Sequence, residues 1–237
     1  MPRSVSSTLP PPHRCPALSP WYDGCTNRDT REHMPAPIPR PDITAVILAG
    51  GKARRMDGAD KALLTLAGQP LLAHIIAVLQ PQVTEILLNS NRPAECYAHF
   101  SLPVIADAIA DQPGPLAGLL SALLARDSDL VLAVPCDTPC LPADLVTRMY
   151  AALEAEHADV CSVSDGAQLH AAFMLARRSV IPALQSYLAA GKRKVQDWLH
   201  EQKLAVADFS DRPEAFSNVN TAQDLHRLEQ RFNSHEC

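Results

Sequence analysis

Two short runs, Ala45-Val46-Ile47-Leu48 and Leu130-Val131-Leu132-Ala133-Val134, are apolar at every position. A strand with one solvated face alternates polar and apolar side chains, so a run without alternation marks a strand covered on both faces. Such strands lie in the middle of a sheet with helices packed on either side. In chain order, the strand candidates are residues 44–48, 85–89, 104–106, 130–135, 160–164, 171–176 and 205–209. Helical patterns fall at 70–79 and 115–124, each opened by a proline at its first position, then at 142–156, at 180–203 with a break near Gly191, and at 221–232. Thr221-Ala222-Gln223-Asp224 has the form of a capping box with Asp in place of Glu. The alternation predicts an α/β fold, three layers deep around a mostly parallel sheet.

Residues 1–41 read differently. They hold about half of the chain's 21 prolines, as in Leu9-Pro10-Pro11-Pro12 and Pro35-Ala36-Pro37-Ile38-Pro39-Arg40-Pro41, and almost no periodic apolar pattern. Such a segment buries too little apolar surface to offset its ordering entropy and is expected to be disordered, leaving residues 42–237 as one domain. Met1 to Trp21 lacks the apolar run of a secretion signal. Its Arg and Ser content suits an organelle transit peptide, Asp23, Asp29 and Glu32 oppose one, and Met34 is a second candidate start. No later stretch reaches the roughly 18 apolar residues of a membrane span. A formal net charge of −5 offers no basic face for duplex nucleic acid. Seven cysteines, odd in number and without a C-x-x-C pair, suit neither a disulfide framework nor a zinc site. The expectation is a cytoplasmic protein without nucleic-acid or membrane partners.

The first apolar run breaks into Leu48-Ala49-Gly50-Gly51-Lys52-Ala53-Arg54-Arg55-Met56, with Asp60-Lys61 close behind. Glycine lacks a Cβ, so backbone N–H groups there can approach phosphate oxygens. Lys52, Arg54, Arg55 and Lys61 supply positive charge to neutralise a triphosphate and the charge that builds at the reacting phosphorus. The spacing is neither G-x-x-x-x-G-K-[ST] nor G-x-G-x-x-G. Taken alone, the segment also suits a tight turn followed by solvated basic residues.

Open sheets of this class bind ligands outside the carboxyl ends of their strands. Three polar features are expected to meet on that rim: the Gly50-Gly51 loop, Asn89-Ser90-Asn91 and Cys136-Asp137. Asp137, at the tip of an apolar strand in Pro135-Cys136-Asp137-Thr138-Pro139, is the candidate magnesium ligand, since Mg²⁺ commonly bridges one or two carboxylates to substrate phosphates. Capping or turning the chain before Pro139 is the alternative role. Asp107 and Asn89 also follow strands; a carboxylate can accept two parallel hydrogen bonds from the N1 and N2 edge of guanine, which adenine cannot offer. Turn chemistry is the plainer reading for both. Gly114-Pro115-Leu116-Ala117-Gly118 opens a helix whose N-terminus can face a nucleotide. Lys192-Arg193-Lys194 reads as a solvated helix face, and the pairs Cys136 with Cys140 and His157 with Cys161 as packing. His170 is open between ligand contact and packing.

Five ordered blocks carry a resemblance. The glycine segment with Asp60-Lys61, then Asn89-Ser90-Asn91-Arg92, Pro113-Gly114-Pro115-Leu116-Ala117-Gly118, Pro135-Cys136-Asp137-Thr138-Pro139 and Asn218-Val219-Asn220-Thr221 together resemble the bacterial molybdenum cofactor guanylyltransferase family, over residues 43–228 without large gaps. The resemblance implies a Rossmann-like nucleotidyltransferase of the glycosyltransferase-A-like type. It implies as substrates GTP and molybdenum-molybdopterin, joined as the guanine dinucleotide cofactor with release of pyrophosphate. GTP contacts are implied at Leu48, Ala49, Gly50, Lys61, Asn89, Asp107 and Asp137, with Gly51 beside them in the phosphate loop. Arg55, Lys61 and Asp137 are the implied catalytic groups, with Mg²⁺ on Asp137, and Asn218 and Asn220 the implied acceptor contacts. Asp57 stands where relatives commonly carry Gly, and His170-Ala171 where His-Pro or Gln-Pro is usual. Transient contact with cofactor-delivery or acceptor proteins fits an oxygen-sensitive acceptor. The competing readings are a cytidylyltransferase or sugar-phosphate nucleotidyltransferase of the same fold, and a nucleotide-binding adaptor that catalyses nothing.

Overall fold

The computed structural model describes residues 41–50, 60–109 and 114–233; the proline-rich extension up to Arg40 lies outside them. In chain order the strands are β1 (Ile43–Leu48), β2 (Thr65–Leu66), β3 (Gln69–Pro70), β4 (Glu85–Asn89), β5 (Val104–Ile105), β6 (Leu130–Pro135), β7 (Val160–Ser164), β8 (Leu169–Arg177) and β9 (Leu204–Asp208). The α-helices are α1 (Leu71–Leu79), α2 (Pro115–Ala125), α3 (Leu145–Ala155), α4 (Ile181–Ala189), α5 (Val195–His200) and α6 (Ala222–Asn233). Seven strands form one sheet in the order β5-β4-β1-β6-β8-β7-β9. Every neighbouring pair is parallel except the two made by β8, which runs against β6 and β7. The two fully apolar runs, β1 and β6, thus lie side by side at the centre of the sheet.

Successive side chains of these strands enter opposite layers. Ala45, Ile47, Leu132 and Val134 pack with Leu72, Ile75 and Leu79 of α1 and Leu145, Met149 and Leu153 of α3. Val46, Val131 and Ala133 pack on the other side with Leu116, Leu119, Leu120 and Leu123 of α2, Leu184 and Leu188 of α4, and Trp198 of α5. Each Val, Leu, Ile or Met side chain so buried stabilises the fold by about 1.5–3 kcal/mol, and the one buried polar side chain of β1, Thr44, is met by the Ser128 hydroxyl at 2.6 Å. Among the described residues no helix is long and apolar enough to cross a membrane.

The structure shifts some sequence boundaries. β2 and β3 form a hairpin closed by Ala67 and Gly68, both at positive φ (48° and 83°), the geometry of a two-residue primed turn. Ala-Gly is a weaker signal for that turn than Asn-Gly, and the two-residue strands leave no alternation to read. Pro70 belongs to this hairpin, so α1 begins one residue later than expected. The segment 142–144 is a turn closed by the Leu145 N–H on the Pro142 carbonyl, and α3 starts at Leu145. The break near Gly191 separates α4 from α5, with Gly191 at φ +79°. The capping box forms as read: the Asp224 N–H donates to Thr221 Oγ1 at 3.1 Å and the Thr221 N–H donates to Asp224 Oδ2 at 2.9 Å.

Candidate active site

Register alone brings three strand ends together. Leu48 pairs with Asn89 on one side and Pro135 on the other. The ladder runs one step further, with the Ala49 N–H donating to the Asn89 carbonyl (2.9 Å) and the Cys136 N–H to the Leu48 carbonyl (3.2 Å). Gly50, the Asn89–Asn91 segment and Asp137 therefore share one rim. Under that rim lies a cavity of about 470 Å³. It is lined by Leu48, Ala49, Gly50, Lys61, Asn89, Asp107 and Asp137, all expected to contact nucleotide, and also by Asp60, Arg92, Gly114, Pro115, Pro135, Cys136 and Ala172. Gly51, Arg55 and Asp57 lie outside the described residues.

Lys61 is presented by a short 3₁₀ turn, Lys61–Leu63, whose N-cap is Asp60; the Asp60 carboxylate accepts the Ala62 N–H at 3.0 Å. Lys61 Nζ reaches Asp137 Oδ2 at 3.1 Å and Asn220 Oδ1 at 2.7 Å. Two further bonds bring the 218–220 segment to the same place: the Val219 N–H donates to the Asp137 carbonyl (2.8 Å) and Thr138 Oγ1 donates to Asn218 Oδ1 (2.9 Å). Asn220 is thus joined to the crevice through Lys61. Asn218 instead lines a shallow neighbouring cavity of about 180 Å³ with Asp224, Arg227 and Arg231.

Asp60 and Arg92 were not singled out for a site role in the sequence. The Asp60 side chain is only 6% exposed, with Arg92 Nε 3.7 Å away. Its second oxygen accepts the Tyr97 hydroxyl. Burial first, and then the bond to Asp60, push the Tyr97 phenol up to about 12, so it stays a proton donor at neutral pH. Ser90 Oγ stands 3.0 Å from the same phenol and accepts the Arg92 N–H at 3.2 Å. An Asp placed one residue before a site lysine is a cap signature that the sequence does hold. The role of Tyr97 depends on a contact 37 residues away and leaves no local trace.

Asp137 meets the requirements of a magnesium ligand by its chemistry: a hard carboxylate with one oxygen on Lys61, facing a crevice. Among the described residues no three His, Cys, Asp or Glu side chains gather as a metal cage. An ion there would take its other oxygens from water and substrate phosphate, the usual manner for Mg²⁺. Neighbouring Cys136 is buried, and burial, followed by the Asp137 and Asp60 charges, pushes its thiol up to about 12.

His170 pairs with Asp165 at 2.8 Å and stacks on Phe216, with ring centroids 5.1 Å apart. It packs beside the crevice and does not line it. Lys192 and Lys194 pair with Glu201 and Asp197 on the surface, but the run 192–194 lies in the link between α4 and α5 and not on the helix face expected, because the chain breaks at Gly191.

α2 approaches the rim at glycine's distance. A Cβ at Gly118 would stand 2.5 Å from Leu48 Cδ2 and 2.6 Å from Asn89 Oδ1. Gly118→Ala gains up to ~1 kcal/mol of helix propensity, but the overpacking costs about 1–3 kcal/mol and displaces a crevice residue. The expected outcome is a net loss of stability in urea unfolding, and a midpoint at or above that of the unsubstituted protein would contradict the close packing.

Residues 45–206 match the family model described as MobA-like NTP transferase domain. The chain is 50% identical to the molybdenum cofactor guanylyltransferase of Shewanella amazonensis over 186 residues, 78% of this chain and 95% of that protein. It is 45% identical to the protein of the same name in Shewanella loihica over 188 residues, 79% of this chain and 96% of that one. Among solved structures, molybdopterin-guanine dinucleotide biosynthesis protein A from Archaeoglobus fulgidus superposes with a TM-score of 0.68 at 19% identity, covering 81% of this chain and 99% of that one. CMP:2-keto-3-deoxy-manno-octonic acid synthetase complexed with CTP superposes with a TM-score of 0.65 at 15% identity, covering 82% and 99%. At those identities the superpositions speak for a nucleotidyltransferase fold alone. With near-complete coverage of relatives at up to 50% identity, the chain belongs to the molybdenum cofactor guanylyltransferases, a family of nucleotidyltransferases built on the MobA-like domain.

Proposed function

We propose that the protein transfers the GMP moiety of GTP to the terminal phosphate of molybdenum-molybdopterin, yielding the guanine dinucleotide form of the cofactor and pyrophosphate. The observation that carries the reading is a single crevice with Asp107, Lys61 and Asp137 all on its lining; in this reading Asp107 meets the base and the other two the phosphates. An acceptor phosphate oxygen forms a bond to the α-phosphorus as the bond from that phosphorus to the bridging oxygen of pyrophosphate breaks. The attacking group is already anionic, so the protein needs little acid–base machinery. Its work is positioning and charge neutralisation.

Residue by residue, Ala49 and Gly50 bring backbone to the phosphates. Lys61 has three N–H donors, of which Asp137 and Asn220 take two, leaving one for a phosphate oxygen. Asp137 would hold Mg²⁺, which when bound offsets charge on the triphosphate and on the departing pyrophosphate. Asn220, tied to Lys61, is the acceptor contact this reading keeps at the crevice, while Asn218, tied to Thr138, lines the neighbouring cavity.

The test is pyrophosphate release on mixing the protein with Mg²⁺, molybdopterin and one of GTP, CTP or ATP. Release with GTP alone is the expected result. Release with CTP in preference assigns the cytidylyl reaction instead, and binding without release assigns a carrier.

A further inference from the structure

We propose that Asn91 sets the guanine selectivity of the crevice by orienting Asp107; the proposal rests on the reading of Asp107 as the base contact. The Asp107 carboxylate is held on both oxygens from the end of the neighbouring strand. Asn89 Nδ2 donates to Oδ1 at 3.1 Å and Asn91 Nδ2 donates to Oδ2 at 2.8 Å. Asn91 also accepts: its Oδ1 takes the Asp107 backbone N–H at 3.1 Å. One carboxamide therefore clamps both the main chain and the side chain of Asp107. Asn91 is exposed and is not part of the cavity lining, so it acts on a nucleotide through Asp107.

A carboxylate offers about four lone-pair sites, two on each oxygen. With one site on each oxygen taken by a carboxamide, each retains one for a ligand, and the rotation that aims them is fixed. Guanine presents two adjacent donors, N1–H and the 2-amino group, which fit such a pair. Adenine and cytosine present an acceptor beside a donor, and the acceptor faces a fixed negative oxygen. A carboxylate free to turn loses that discrimination because it can offer one oxygen alone. Asn89 is further constrained by its second bond, to the Ile105 carbonyl at 3.3 Å, so it cannot by itself replace the clamp on Oδ2.

The experiment measures equilibrium binding of GTP, ITP and CTP with Mg²⁺ to the full chain and to the Asn91→Ala and Asn91→Asp variants, alongside thermal melts. ITP lacks only the 2-amino group. The full chain is expected to prefer GTP over ITP by about 10- to 100-fold, the worth of one charge-assisted hydrogen bond. Both variants are expected to shrink that ratio by about tenfold with the melting midpoint unchanged. Asn91→Ala removes the donor to Oδ2 and the acceptor for the Asp107 N–H together, whereas Asn91→Asp keeps that acceptor and sets a second carboxylate against Oδ2, which turns the Asp107 side chain away by like-charge repulsion. A GTP-over-ITP ratio that stays the same in both variants, or a uniform loss of all three nucleotides, overturns the proposal. The full chain's own preference for GTP over CTP tests the underlying reading separately: equal binding removes Asp107 as the base contact and the role of Asn91 with it.

Discussion

Asp137→Ala is expected to lower kcat by at least about 10³-fold while the protein stays folded. Three carboxylates line the crevice, and their partners decide between them. Asp60 accepts from Ala62 on one oxygen and from Tyr97 on the other. Asp107 is held on both oxygens by Asn89 and Asn91. Asp137 is engaged through Oδ2 alone, by Lys61, so among the described residues it is the crevice carboxylate with one oxygen that accepts no protein hydrogen bond, the one best placed to turn to a metal ion. The bond that fastens the 218–220 segment uses the Asp137 backbone carbonyl, which the substitution retains. Circular dichroism and melting should therefore match the unsubstituted protein, and pyrophosphate release should no longer rise with added Mg²⁺. Activity within about tenfold of the unsubstituted protein would remove Asp137 from the chemistry.

Lys61→Ala is expected to cut kcat by about 10²–10³-fold, the usual consequence of deleting one donor aimed at developing charge. Its cost in stability should be about 1–3 kcal/mol, because the Lys61 and Asp137 side chains keep only 26% and 17% exposure and loss of the ammonium leaves a largely buried acceptor without its donor. Lys61→Arg should recover only part of the rate. The ammonium sits between Asp137 and Asn220 as a compact centre with three rotatable donors, whereas a planar fork fixes its hydrogens in one plane and stands further out. Steady-state kinetics with varied GTP and varied acceptor check this, and near-normal kcat in the alanine variant would exclude the role. Because Asn220 loses its partner as well, the KM for the acceptor is expected to rise along with the fall in kcat.

The sheet was readable because its signals are local. Unalternating runs such as 130–134 have few outcomes other than a strand buried on both faces, and each one fixed its own position in the core. Gly50, Asn89 and Asp137 were likewise readable as a rim, since each ends a strand that could be seen on its own. What escaped depends on distance in sequence. The Asp60–Tyr97 bond, the Asn91–Asp107 clamp and the Cβ-excluding contact of Gly118 with Asn89 each join segments whose approach follows from packing. The β2–β3 hairpin escaped for the opposite reason: its strands are too short to carry a period. Asn218 and Asn220 were named as a pair, yet their side chains go to different partners, Thr138 and Lys61, which only the packing of the 218–220 segment on the Asp137 turn decides.

Cys136 shares a wall with the crevice, yet its thiol is pushed up to about 12. At neutral pH the thiolate then makes up on the order of one molecule in 10⁵, and the thiolate is the form that attacks electrophiles. An alkylating fluorophore will pass over this position and react at an exposed cysteine such as Cys96. The crevice is in this way left unplugged by such a reagent.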